Sequence, residues 1–69
     1  VQMSDILRAG IEKLPPQKRE ICTLKIEGDV TNQEIADQMG ISIHTVKSHY
    51  QESVKMLRTY FKKVKLMLF

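Results

Sequence analysis

Residues 31–51 read TNQEIADQMGISIHTVKSHYQ, and this stretch decides the fold. Thr31 is a helix N-cap type, and Glu34 stands three places on, as a capping box requires. Ile35, Ala36 and Met39 then face one side of a short helix. Gly40 ends it, because glycine takes the positive φ that closes a helix without steric cost. Ser42 is the next N-cap, and Val46 and Tyr50 continue the apolar side beyond it. Small Ala36 allows the two helices close approach, while Ile35, Ile41 and Val46 fill the space between them. The reading is helix, tight turn, helix. In that arrangement the second helix enters a DNA major groove with its N-terminal residues toward the bases.

The other face of the second helix is polar. His44, Lys47, Ser48 and Gln51 follow at spacings of 3, 1 and 3, away from Val46 and Tyr50. Lysine donates to guanine O6 and N7, glutamine pairs with adenine, and serine donates or accepts. The start of the helix, around Ser42 and Thr45, favours a phosphate. Lys55 and Arg58 lie one to two turns further on, within reach of backbone phosphates. His49 reads as a residue packed partly against the core. Two histidines five apart do not face one metal.

Outward from this unit the pattern stays helical. A first helix runs from about Ser4, as N-cap, to Lys13, with Leu7, Ile11 and Leu14 at intervals of 4 and 3. Pro15 and Pro16 stop it, and the second helix opens at Pro16, where a missing N–H costs nothing. That helix carries Ile21, Leu24 and Ile26 toward a core and ends at Gly28 as a left-handed cap. The last helix presents Ile43, Val46, Tyr50, Val54, Leu57, Phe61, Val64 and Leu68 at spacings of 3, 4, 4, 3, 4, 3 and 4, with no proline or glycine to break it. The fold class is all-α: a four-helix DNA-binding domain with a helix-turn-helix at about 31–51 and a long C-terminal helix.

Composition narrows the function. The 69 residues make one small domain, with 42% hydrophobic and 28% charged side chains, proportions of a folded globule rather than a disordered tail. Such a chain has no room for a deep cofactor pocket, and it clusters no acid, base or nucleophile. No enzyme activity, cofactor or metal site is expected. Cys22, the single cysteine, has no disulfide partner and reads as a small buried hydrophobe in a reduced, cytoplasmic setting. The four methionines read as packing residues. No apolar run reaches membrane-spanning length, and no signal peptide is visible. The first residue is Val1 rather than Met, so a fragment of a longer protein is expected.

The strings LPPQKREICTLK and NQEIADQMGISIHTVKSHYQESVKMLR resemble the C-terminal domain of the extracytoplasmic-function sigma factors of bacterial RNA polymerase. Leu14-Pro15 with Arg19, Glu34-Ile35-Ala36, Gly40-Ile41-Ser42, Thr45-Val46-Lys47 and Leu57-Arg58 carry the likeness, which covers about Leu7 to Phe61. The resemblance implies a four-helix domain that reads the minus-35 promoter element, docks on the β-subunit flap of core RNA polymerase and is captured by an anti-sigma factor. It implies groove-reading positions at Ser42, Ile43, His44, Lys47, Ser48 and Gln51, and phosphate contacts at Thr31, Asn32 and Gln33. Three features depart from the pattern. An extra residue near Asp29 lengthens a loop and brings negative charge toward the DNA side. Ile43 is apolar, and Lys47 is the lone base in the first turns of the reading helix. Weak DNA affinity of the isolated domain is the consequence.

Two other readings stay open. The output domain of a LuxR-type response regulator shares the EIA, GIS and TVK spacing, but Leu14-Pro15-Pro16 and the long basic-apolar last helix argue against it. A protein-interaction module is the other. An unbroken helix from Ser42 to Phe69 spans roughly 42 Å, whereas a globule of this length is roughly 28 Å across. Phe61, Val64, Leu66, Met67, Leu68 and Phe69 then need a cover: the chain's own core by folding back, a second copy, or an anti-sigma or polymerase partner. A basic helix lying on a membrane surface is a further possibility.

Charge divides along the chain. Residues 1–41 hold five Lys+Arg and seven Asp+Glu, a net of −2, and residues 42–69 hold six and one, a net of +5. The basic half starts at the N-cap of the proposed reading helix, as expected of a DNA-facing element.

Overall fold

The computed structural model describes residues 3–68, with side chains from Asp5 to Met67. Four helices follow in order: α1 (Met3–Glu12), α2 (Pro16–Ile26), α3 (Asn32–Met39) and α4 (Ile43–Leu68). The last of these touches each of the other three and is the spine of the domain. The molecule measures 42 × 19 × 15 Å, and α4, at about 39 Å, sets the long axis. No described helix is long and apolar enough to cross a membrane.

Local chemistry explains most boundaries. The Lys13 N–H bonds to the Gly10 carbonyl (3.1 Å) and that of Leu14 to Ile11 (3.0 Å), a tightened last turn that drops Leu14 into the core before the prolines. Pro15 is extended (φ −55°, ψ 152°) and Pro16 opens α2, whose first bond runs from the Arg19 N–H to the Pro15 carbonyl at 2.9 Å. Two apolar clusters meet along α4. Ile11, Leu14, Cys22 and Leu57 form one, beneath α1 and α2. Ile21, Ile35, Ala36 and Val46 form the other, between α2 and the helix-turn-helix, and Tyr50 packs against both. Ile21, Ile35 and Val46 are fully buried, each contributing about 1.5–3 kcal/mol of transfer free energy.

Several expectations need correction. Helix α1 starts at Met3, so Ser4 lies inside it rather than capping it. Gly28 is not the left-handed residue; Asp29 is, at φ 50°. Both the Gly28 and Val30 N–H groups reach the Leu24 carbonyl (3.1 and 3.3 Å), and the chain turns at Asp29 between them. Gly28 serves close approach instead, since a Cβ there would sit 2.9 Å from the Leu24 carbonyl oxygen. Ile26 and Ile43 are not core residues, at 41% and 38% exposure. Met56 and Met67 are exposed too, so the methionines do not all pack. The Leu68 side chain and Phe69 lie outside the described residues.

Ser53, absent from the apolar seam, is fully buried. Its hydroxyl donates to the His49 carbonyl at 2.6 Å and shares a hydrogen bond with the Cys22 thiol. Two small side chains thus let α2 lie close on α4. Gly10 does the same for α1, where a Cβ would meet Leu57 and Tyr60 at 3.0 Å.

Candidate nucleic-acid interface

The turn between α3 and α4 comprises Gly40, Ile41 and Ser42. Gly40 is left-handed (φ 68°, ψ 34°), and its N–H and that of Ile41 both point to the Ala36 carbonyl. Ser42 caps α4: its Oγ accepts from the Thr45 N–H at 3.0 Å and shares a 2.8 Å hydrogen bond with the Thr45 hydroxyl. Thr31 caps α3 by accepting from the Glu34 N–H at 3.2 Å. The capping box is only half made, because the Glu34 carboxylate accepts from the Thr31 hydroxyl (3.0 Å) rather than from its backbone. Buried Ile35 and Val46 and half-buried Ile41 lock the two helices together.

This packing leaves one face of α4 free. At 3.6 residues per turn, His44, Lys47, Ser48, Gln51, Lys55 and Arg58 fall within an arc of about 100° over about 21 Å of helix. Val46, Ser53 and Leu57, all buried, lie on the opposite side. His44, Lys47, Gln51, Lys55 and Arg58 are exposed, while Ser48 and Thr45 are half-buried. Ile43 sits on the flank, next to Lys47. The polar face is therefore a continuous strip that starts at the positive end of a capped helix.

The start of α3 adds a second edge. Asn32 is held by Lys25, whose Nζ donates to Asn32 Oδ1 at 2.7 Å and lies 4.9 Å from the centre of the Tyr50 ring. This bond occupies the Asn32 amide oxygen, and the NH2 of the same amide is a donor. Gln33 instead spends its amide on Asp37 Oδ1 at 2.9 Å, and Thr31 is engaged with Glu34. Asp29 is exposed in the loop that precedes them. Lys25 was not singled out from the sequence; it belongs to the last turn of α2, and only the packing of α2 against α3 and Tyr50 brings it here.

A third contact tunes the field. Lys18, on the first turns of α2, lies 3.1 Å from His49 Nδ1 and 3.1 Å from the Glu52 carboxylate. His49 is half-buried at this junction, as expected of a packing residue rather than a base reader. Glu52 is the one acid in residues 42–69, and Lys18 offsets it, so the strip on α4 presents basic charge without a competing carboxylate.

The model of the family "Sigma-70, region 4" matches residues 4–57. The chain belongs to the sigma-70 region 4 family. This family comprises helical, helix-turn-helix DNA-binding domains without catalytic activity, and it ties the chain to promoter DNA and RNA polymerase in transcription initiation. The region 4 match runs from Ser4 in α1 to Leu57 in α4, so it contains the buried residues of both apolar clusters and the polar strip except Arg58. It favours the sigma reading over the LuxR-type alternative. No curated protein and no solved structure matches the chain significantly.

The described tail residues singled out for partner contacts, Phe61, Val64, Leu66 and Met67, lie in different surroundings. Phe61 packs against the α1–α2–α4 cluster. Val64 and Met67 line an open groove with Lys13, and Leu66, at 79% exposure, is not among its lining residues. Among the described residues α4 does not fold back on the core; it runs unbroken to Leu68.

Proposed function

We propose that this region 4 domain reads the minus-35 element for an extracytoplasmic-function sigma factor, as part of a longer polypeptide working in the bacterial cytoplasm. The observation that carries the reading is the strip on α4: base-reading side chains His44, Lys47, Ser48 and Gln51, followed on the same arc by Lys55 and Arg58 as phosphate contacts. Ser42 and Thr45 supply the helix start, Ile43 meets a thymine methyl, and Thr31, Asn32 and Gln33 line the flanking phosphates. Lys25 joins them through Asn32.

Docking on the β flap holds the domain at its promoter, and an anti-sigma factor competes for the same faces. Self-association through α4 is the weaker partner reading, because residues 53–69 hold five bases and no acid. The test is selection from duplexes randomised at the minus-35 position, followed by transcription with core polymerase and a sigma factor carrying this domain. A single enriched motif that also directs transcription is expected. Enrichment that follows only duplex length would overturn the reading.

A further inference from the structure

The family match stops at residue 57, yet α4 continues to Leu68. On this stretch Met56, Tyr60, Val64 and Met67, spaced by 4, 4 and 3, form the floor of an open groove. Lys63 edges it on the same helix and Lys13 edges it from the end of α1. The Lys13 ammonium lies 5.5 Å from the centre of the Tyr60 ring, which holds the wall in place. Met56 is 43% and Met67 86% exposed, so the apolar floor faces water. From Met56 to Met67 the groove is about 16 Å long, three helical turns.

We propose that this groove seats an amphipathic helix of another protein, with apolar anchors on one stripe and Asp or Glu beside them. Anchors at i, i+4 and i+7 of a bound helix span about two turns, which this length accommodates. Charge selects the occupant. Residues 53–69 carry Lys55, Arg58, Lys62, Lys63 and Lys65 and no acid. A second copy laid along this helix would bring like charges together beside a desolvated seam, where their repulsion is stronger than in water. A bilayer presents a plane, whereas a groove edged by Lys63 and, from just past α1, by Lys13 fits a cylinder. Acidic residues on the incoming helix meet Lys63 and Lys13 and set its orientation, while the buried anchors supply most of the affinity.

The test uses the 69-residue chain and two labelled helical peptides with identical Leu anchors, one flanked by Glu and one by Lys. Fluorescence anisotropy should show the Glu peptide bound about tenfold more tightly or better. Met67→Glu and Lys63→Glu, both at exposed sites, should each weaken it by about fivefold or more with unchanged circular dichroism. Met67→Glu should leave minus-35 duplex binding intact, which separates this surface from the DNA strip. Equal binding of the two peptides, or none, overturns the proposal. So does a concentration-dependent dimer in sedimentation that Met67→Glu abolishes and the Glu peptide fails to displace. Binding to phosphatidylglycerol vesicles without binding of the Glu peptide overturns it as well.

Discussion

Replacing Gly40 by alanine isolates the backbone cost of the turn that sets α4 against α3. Gly40 sits at φ 68°, ψ 34°, and a Cβ added there meets no atom within 4 Å. Crowding is thus absent, and handedness is left as the folded-state term. An L-residue in this region costs about 1–2 kcal/mol. Alanine also narrows the unfolded ensemble, which returns about 0.4–1 kcal/mol. The balance for Gly40→Ala is a loss of about 1 kcal/mol, a fall in melting temperature of about 4–8 °C for a domain of this size. The chain is short enough for chemical synthesis, so D-alanine can be placed at the same position. It meets no strain there and should stabilise by about 0.4–1 kcal/mol. Urea denaturation followed at 222 nm measures all three proteins. Equal destabilisation by the two isomers would refute the reasoning, because it would mean that the Cβ meets atoms at the turn. DNA affinity of the folded L-alanine protein should be unchanged, since the Ser42 cap and the strip on α4 are not touched.

Lys47→Ala should cost about 1–3 kcal/mol of promoter binding and relax one base position, read by competition with single-base variants; a uniform loss over all sequences would make Lys47 a phosphate contact instead. Lys55→Ala and Arg58→Ala should weaken all duplexes alike and each lower the salt slope of binding by about 0.9. Ile21→Ala, at a fully buried site shared by α2, α3 and α4, should destabilise by about 2–5 kcal/mol. A chain of 69 residues has only about 3.5–10 kcal/mol in total, so DNA binding should fall with the folded fraction. Burial pushes the Cys22 thiol above its ordinary 9.0, against a smaller opposing effect of its hydrogen bond with Ser53. The protonated thiol is the form the fold favours, so its contribution is complete below pH 9.0 and declines as pH rises above it. Cys22→Ala should remove that part of the alkaline decline in urea titrations.

The helix-turn-helix was legible because its determinants are local. Thr31 and Ser42 cap their helices through N–H groups three residues on, and Gly40 turns the chain by its own φ. Interactions of that reach are written in adjacent letters. The polar strip was legible for a related reason: once Val46 and Leu57 point inward, helical geometry alone assigns His44, Lys47, Gln51, Lys55 and Arg58 to the opposite side. A glycine after α2 points to Gly28 as the left-handed residue. The return of the Val30 N–H to the Leu24 carbonyl and the contact that a Gly28 Cβ would make moved it to Asp29.

By itself, then, the sequence determined four helices, the caps at Thr31 and Ser42, the separation of charge and the exposed polar side of α4, all of which follow from periodicity and from contacts within one helical turn. Tertiary structure alone decided which small residues admit close packing: Ser53 against Cys22, and Gly10 against Leu57 and Tyr60. It also decided that Lys25 positions Asn32, that Lys18 offsets Glu52, and that Lys13, just past α1, edges a groove on α4. Each of these joins residues on different elements. Their meeting depends on how close the helices approach and at what angle they cross, and neither quantity is encoded in the spacing of any single segment.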